Sequence, residues 1–205
     1  MHPHLAKKAF DKLFKESDGF SLSTAARQRL GLDENALTYG EITWDTILDI
    51  LAEVQYLGNR TIFYDLGSGT GKAVIGAALL GTFERVMGIE LLEELYKESK
   101  KILLDFNKHI RPLASSARQK TLVDFAHGDL FMHNWSDGDV IFCQTTCFNA
   151  ELLNRLEEQL HNLKKGSLVI TFSKPLISPH FQTIVEHKYP MSWGEATTFI
   201  QKKIR

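Results

Sequence analysis

The chain has 205 residues, 43% of them apolar and 24% charged, the ordinary composition of a soluble globular protein with room for one domain and a small appendage. A formal net charge of −1 provides no basic field, so strong nucleic-acid binding is not expected. Two cysteines, Cys143 and Cys147, exclude a disulfide framework and a paired zinc site, and with no membrane-length apolar run or signal-peptide core the expectation is a metal-free cytoplasmic or nuclear protein.

From Leu5 to about Lys15, Leu5, Ala9, Phe10, Leu13 and Phe14 fall at helical spacing among lysines, and Ser17-Asp18-Gly19 stops that helix. Ser21 to Leu30 predicts a second short helix ended by Gly31. Residues 1–35 therefore read as an N-terminal helical appendage and residues 36–205 as the main domain. Thr38-Tyr-Gly-Glu41 then precedes Ile42, Trp44, Ile47, Leu48, Leu51, Val54 and Leu57, an amphipathic helix stopped by Gly58-Asn59.

Strand and helix alternate from there on. Thr61–Asp65 is a first strand and Lys72–Leu80 a first crossover helix; Arg85–Glu90 is a second strand, followed by a long helix from Leu92 to about His109. A connection from Arg111 to Lys120 leads to a third strand, Leu122–Ala126, which runs into Gly128-Asp129. Asp139–Gln144 is a fourth strand, Ala150–Leu163 a helix closed by Lys164-Lys165-Gly166, and Ser167–Phe172 a fifth strand ending at Ser173-Lys174-Pro175. Thr183–Tyr189 and Thr197–Ile204 are joined by only Met191-Ser-Trp-Gly-Glu195, a connection too short for a crossover, so they form an antiparallel hairpin. The expected fold is α/β: a Rossmann-like seven-stranded, mostly parallel sheet with an antiparallel C-terminal hairpin and an N-terminal helical appendage.

The stretch Asp65-Leu-Gly67-Ser68-Gly69-Thr-Gly71-Lys72 places glycines at alternate positions where a buried strand turns into a helix. Such a turn lets a ligand approach the backbone and meet the first N–H groups of the helix. Glu90, nineteen residues beyond Gly71, suits a carboxylate that accepts ribose hydroxyls, and Asp129 is placed to accept from an adenine amine. The Gly-x-Gly-x-Gly spacing after an acid favours S-adenosyl-L-methionine over a dinucleotide, because Asp65 repels a pyrophosphate but holds an amino group. The terminal hairpin is also the usual ending of the seven-stranded methyltransferases.

With those motifs placed, the chain resembles the disruptor-of-telomeric-silencing family of non-SET histone lysine methyltransferases. The likeness rests on Thr38-Tyr-Gly-Glu41, the glycine loop, Gly128-Asp129-Leu130, Val140-Ile-Phe142, Lys164-Lys-Gly166, Ser173-Lys-Pro175 and Ser192-Trp193, and covers roughly residues 36–205. The resemblance implies a methyltransferase that moves a methyl group from S-adenosyl-L-methionine to a protein lysine, with no membrane partner. Tyr39, Gly40 and Glu41 would close over the methionine end of the cofactor. Asp65, Gly67, Ser68, Gly69, Gly71 and Lys72 would form its loop, with Lys72 standing where the family usually has glutamine. Glu90 would hold the ribose, Asp129 and Leu130 the adenine, and Trp193 would line the channel for the target lysine.

The departures from the family lie on the acceptor side. Gln144-Thr145-Thr146 stands where Asn-Asn-Phe is usual, and Thr198, beside Phe199, where a tyrosine is expected. The catalytic candidates are thus Gln144, Thr145, Trp193 and Tyr39, with Gln144 as a hydrogen-bond partner of the acceptor amine and Trp193, Phe148 and Phe199 as apolar walls. These altered positions leave a non-histone protein or a small molecule as alternative acceptors, and a cofactor-binding relative without catalysis as a third reading. His127 reads as a neighbour of the adenine pocket rather than a catalyst. No feature of the sequence specifies an oligomeric state.

Overall fold

The computed structural model describes residues 3–31 and 38–205. The expected boundary between residues 35 and 36 lies outside the described residues. Two N-terminal helices, α1 (Pro3–Phe14) and α2 (Gly19–Leu30), precede α3 (Trp44–Tyr56). The alternating region follows as β1 (Ile62–Leu66), α4 (Lys72–Leu80), β2 (Arg85–Glu90), α5 (Glu93–Asp105), the single-turn α6 (Ser116–Gln119), β3 (Leu122–His127), β4 (Val140–Cys143), α7 (Ala150–Leu160) and β5 (Leu168–Phe172). The chain closes with β6 (Phe181–Met191) and β7 (Gly194–Lys203).

The seven strands form one sheet in the order β3-β2-β1-β4-β5-β7-β6. The first five strands are parallel, and β7 runs antiparallel to both β5 and β6. The expected Rossmann-like, mostly parallel seven-stranded sheet is therefore the observed one. Strand order reverses between β1 and β4, which opens a crevice at their carboxyl ends.

Alternate residues of β1 feed two cores. Phe63 packs with α1, α3, α4 and α5 on one face, while Tyr64 and Leu66 pack with α7 and Trp135 on the other. On the first face α1 inserts Phe10 and Phe14, 4% and 7% exposed, with their rings 4.6 Å apart and Phe10 5.0 Å from Trp44. Burying each such ring contributes about 2–3 kcal/mol, enough to hold a helix whose own propensity is marginal in isolation.

Several element ends differ from the sequence reading. Asp18, expected to stop α1, caps α2: its Oδ1 accepts from Ser21 N at 3.0 Å. The long helix after β2 is α-helical only to Asp105 and finishes in a π turn over Phe106–Ile110. The hairpin strands are longer than expected, because pairing runs to Met191↔Gly194 and leaves Ser192-Trp193 as a two-residue turn before Gly194 at φ +135°. Pro190 is tolerated within β6 because that strand lies at the sheet edge.

Candidate active site

The crevice at the carboxyl ends of β1, β2 and β4 opens into a cavity of 570 Å³. Its floor is the loop after β1, where Gly67, Gly69 and Gly71 all have positive φ (82°, 56° and 93°). Two of them leave no room for a side chain: a Cβ on Gly69 would sit 2.7 Å from Tyr39 Cε2, and one on Gly71 2.4 Å from Phe125 Cζ. The backbone N–H groups of Gly67 and Ser68 both donate to Ile89 O, at 2.9 and 3.0 Å, which binds the loop to β2.

Two buried carboxylates face each other across this loop. Asp65 is 3% exposed and accepts no hydrogen bond from the described residues; burial first, and the charge of Glu90 second, push its pKa well above the usual carboxylate range. Glu90 is also raised by burial, and this is partly offset because its Oε1 accepts from Leu92 N at 2.8 Å and its Oε2 from Gly69 N at 2.7 Å. Two desolvated acids with one lacking any donor make a site that selects a ligand carrying a cationic N–H group.

Residues 39–41 cross above the glycine loop. Tyr39 Oη donates to Glu41 Oε1 at 2.8 Å and lies 3.2 Å from Thr70 Oγ1, while Lys72 Nζ donates to Glu41 Oε2 at 2.5 Å. Burial and the neighbouring Glu41 carboxylate raise the Tyr39 phenol, so it acts as a donor at neutral pH. The strip is bolted to the hairpin: Glu41 N donates to Ser192 Oγ at 3.0 Å, and Ser192 N donates to Glu41 O at 3.1 Å. The Trp193 ring covers Gly40, where a Cβ would meet Cε3 at 2.5 Å, and at 39% exposed it stands at the cavity mouth.

At the other end, Asp129 starts a 3₁₀ turn and its Oδ1 accepts from Phe131 N at 2.9 Å. Oδ2 is left beside Arg155, whose Nη2 is 3.9 Å away and whose guanidinium lies 4.0 Å from the Phe131 ring centroid. Leu130, Phe131, Phe148, Leu152 and Arg155 line this apolar end. His127 lies outside the cavity lining, stacked on Tyr96 at 5.3 Å with Nε2 3.1 Å from Leu91 O.

Of the sequence-derived candidates, Tyr39, Gly40, Glu41, Asp65, Gly67, Ser68, Gly69, Lys72, Glu90, Asp129, Leu130, Gln144 and Trp193 all line the one cavity. Gly71 sits behind them as the residue that precedes α4. Thr145 is buried: its Oγ1 donates to Phe172 O at 2.8 Å and accepts from Phe172 N at 3.0 Å, which ties β4 to β5. Phe199, expected as a wall, is buried and is not among the described residues that line the cavity. The reason is topological: β7 is separated from β4 by β5, so only its turn, carrying Trp193, reaches the crevice. Thr198 is fully buried opposite Phe172 for the same reason.

Sequence reasoning did not single out Ser23, Thr70, Leu152 or Arg155, which line the cavity from three different segments. Nor did it give a task to Lys174, whose ammonium donates to Phe148 O and so holds the segment carrying that ring. The Ser-Lys-Pro motif was the available signal, since a lysine in a loop directly after a buried strand needs an acceptor.

A family model described as "Histone methylation protein DOT1" matches residues 33–193. Among curated proteins, a histone-lysine N-methyltransferase, H3 lysine-79 specific, from Candida albicans is 29% identical over 153 residues, covering 72% of this chain and 11% of that protein. A protein of the same description from Caenorhabditis elegans is 28% identical over 142 residues, covering 65% of this chain and 14% of its own length. The chain thus spans little more than a tenth of these relatives. Among solved structures, an RNA methyltransferase from Salinibacter ruber in complex with S-adenosyl-L-homocysteine superposes with a TM-score of 0.54 at 22% identity, covering 79% of this chain and 90% of that one. A magnesium protoporphyrin IX methyltransferase from Synechocystis PCC 6803 with bound S-adenosylmethionine gives 0.56 at 12% identity, covering 96% and 90%. At these identities the structural likeness speaks for the fold.

Proposed function

Because the chain belongs to the DOT1 family of histone methylation proteins, we propose that it is an S-adenosyl-L-methionine-dependent methyltransferase whose acceptor is a protein lysine side chain. The observation that carries this reading is the buried, donor-less carboxylate of Asp65 beside a glycine loop, across from Glu90. A dinucleotide would bring a pyrophosphate against two acids, whereas the ammonium of a methionine moiety supplies the missing donor.

On this reading residues 36–205 act as the methyltransferase domain and residues 1–35 as its helical appendage. Asp65 holds the ammonium and Glu90 the ribose hydroxyls, with the lone pairs its two backbone bonds leave free. Asp129 Oδ2 and the apolar surface of Leu130 receive the adenine. Tyr39, Gly40 and Glu41 close the methionine end, with Lys72 fixing the Glu41 carboxylate. When bound, the cofactor supplies an electrophilic sulfonium methyl group.

The chain's contribution to the chemistry is then alignment and desolvation. A displacement at methyl carbon needs the nucleophile held in line more than it needs an acid or base. The acceptor amine must be neutral, and the apolar walls of Phe148 and Trp193 disfavour its ammonium form. Gln144, at the end of β4, hydrogen-bonds the amine, and Thr145 keeps that strand end in register through its two bonds to Phe172. The protein partner meets the mouth beside Trp193; a chain of charge −1 takes little affinity from phosphates. Among the described residues no helix is long and apolar enough to cross a membrane; action in the cytoplasm or the nucleus is part of the same proposal.

The test is incubation with tritiated S-adenosyl-L-methionine and, separately, nucleosomes, free histones and whole-cell protein extract. Label on a lysine-containing protein band, lost in Gly67→Arg, is the expected result. Label confined to a non-histone band or a small molecule favours the acceptor readings that Gln144 and Thr146 in the cavity admit. Calorimetric binding of the cofactor without any label refutes catalysis.

A further inference from the structure

The hairpin fastens two residues of the 39–41 strip, since Ser192 bonds Glu41 and the Trp193 ring covers Gly40. The Tyr39 ring is held from another side, by α2. Gly19, the first residue of that helix, makes room for the ring by having no side chain: a Cβ there would come 2.3 Å from Tyr39 Oη and 2.5 Å from Cε1. The Phe20 ring meets Tyr39 edge to face, with centroids 5.3 Å apart and planes at 86°. Leu22 and Tyr39 pack together against Ala26, Leu92 and Leu95. With its opposite edge the ring closes on the glycine loop, where a Cβ on Gly69 would come 2.7 Å from Cε2. The helix that presses on Tyr39 is itself anchored at both ends: Asp18 Oδ2 accepts from Ser21 Oγ at 2.6 Å, and Arg29 Nε donates to Glu94 Oε1 at 2.7 Å.

Phe20 is 46% exposed and lies outside both main cores and outside the cavity lining, so it reaches the site only through Tyr39. Resting on the reading that Tyr39 closes the methionine end of the cofactor, we infer that Gly19 and Phe20 are positioning residues. Together they hold the Tyr39 ring against the glycine loop, so that it stands in its binding position before a ligand arrives. Apparent affinity scales with the fraction of molecules in the competent arrangement. One edge-to-face aromatic contact biases that fraction by about 2–12-fold. The start of α2 is then part of the closure of the cofactor site rather than an attachment to it.

Calorimetric titration tests this with S-adenosyl-L-homocysteine and with 5′-methylthioadenosine, which has the same nucleoside but no amino-acid end. Phe20→Ala weakens binding of the first about 2–12-fold and leaves the second unchanged. Gly19→Ala, which drives the same ring off its seat, gives the same split between the two ligands. Neither substitution weakens S-adenosyl-L-homocysteine further in the Tyr39→Ala background, because the ring through which both act is gone. A general loss of structure lowers both affinities alike. Unchanged affinity for S-adenosyl-L-homocysteine in Phe20→Ala, an equal loss for both ligands, or the same loss in the Tyr39→Ala background overturns the inference alone. Absence of S-adenosyl-L-homocysteine binding by the unaltered chain overturns the cofactor reading, and this inference with it.

Discussion

Replacing Asp65 by asparagine separates what the residue does for folding from what it does for binding. The side chain is 3% exposed, has no donor, and is raised by burial and by Glu90. Its penalty has a ceiling: at pH 7 a carboxyl with an unfolded pKa near 3.9 escapes by taking up a proton at about 1.4 kcal/mol per pH unit, so it destabilises the fold by at most about 4 kcal/mol. The sign follows from the raised value: the folded state binds more protons than the unfolded one, so the penalty is absent near pH 4 and grows as pH rises toward the folded pKa. The asparagine side chain never ionises, although its amide N–H groups still lack partners. The substitution therefore stabilises the ligand-free protein by about 1–4 kcal/mol at pH 8, or roughly 3–10 °C for a chain of this size, and by progressively less toward pH 5. Thermal melts across pH 5–8 measure it. Adding S-adenosyl-L-homocysteine reverses the order, since only the parent protein gains the ligand's binding energy. A ligand-free Asp65→Asn protein that melts below the parent at pH 8, or a gap that widens in acid, refutes the reasoning.

Asp139 gives the opposite pH signature. Its Oδ2 accepts from Thr61 N, Thr61 Oγ1 and Ile62 N and its Oδ1 from Lys164 Nζ. Desolvation works against the carboxylate, but the Lys164 and Thr61 bonds together outweigh it and lower the pKa to about 2. Its contribution is complete above pH 4 and is lost as pH falls through about 2; discounted for its exposure, Asp139→Asn costs about 1–2 kcal/mol at pH 7 in a denaturant titration and only about a few tenths of that near pH 2. Thr145→Val leaves Phe172 N and O without their side-chain partner and lowers stability by about 1–3 kcal/mol, with urea midpoints as the measure; a neutral result denies Thr145 its place as the β4–β5 tie. Gly69→Ala forces a Cβ to 2.7 Å from Tyr39 at φ +56°, so it displaces the 39–41 strip and weakens cofactor affinity at least ~10-fold by calorimetry while the melting temperature moves by only a few degrees.

The alternation of strands and crossover helices, and with it the parallel sheet, was legible because buried parallel strands such as Ile62–Leu66 and Val140–Cys143 are near-continuous apolar runs followed by turn residues. The short link between the last two strands could only be a hairpin. The glycine loop likewise declared itself, since positive φ at Gly67, Gly69 and Gly71 is a local property of the residues that allow it. Asp65 and Glu90 were legible as strand-end acids.

What depends on which elements become neighbours was decided only by the tertiary structure. Nothing in the residues of Thr145 or Phe199 says that one turns its hydroxyl to Phe172 and the other is held away from the crevice by the intervening β5. That Lys72 clasps Glu41, and that Ser192 of the hairpin bolts down the strip carrying Tyr39, requires segments 31 and 151 residues apart in sequence to meet. Ser23 is the clearest case: on its own helix it is one small polar residue among several, and only the packing of α2 against the start of α5 buries it beside the cavity. Local sequence carries backbone conformation because φ and ψ are local; a binding site is a set of distances between distant segments, and those are determined by how the faces pack.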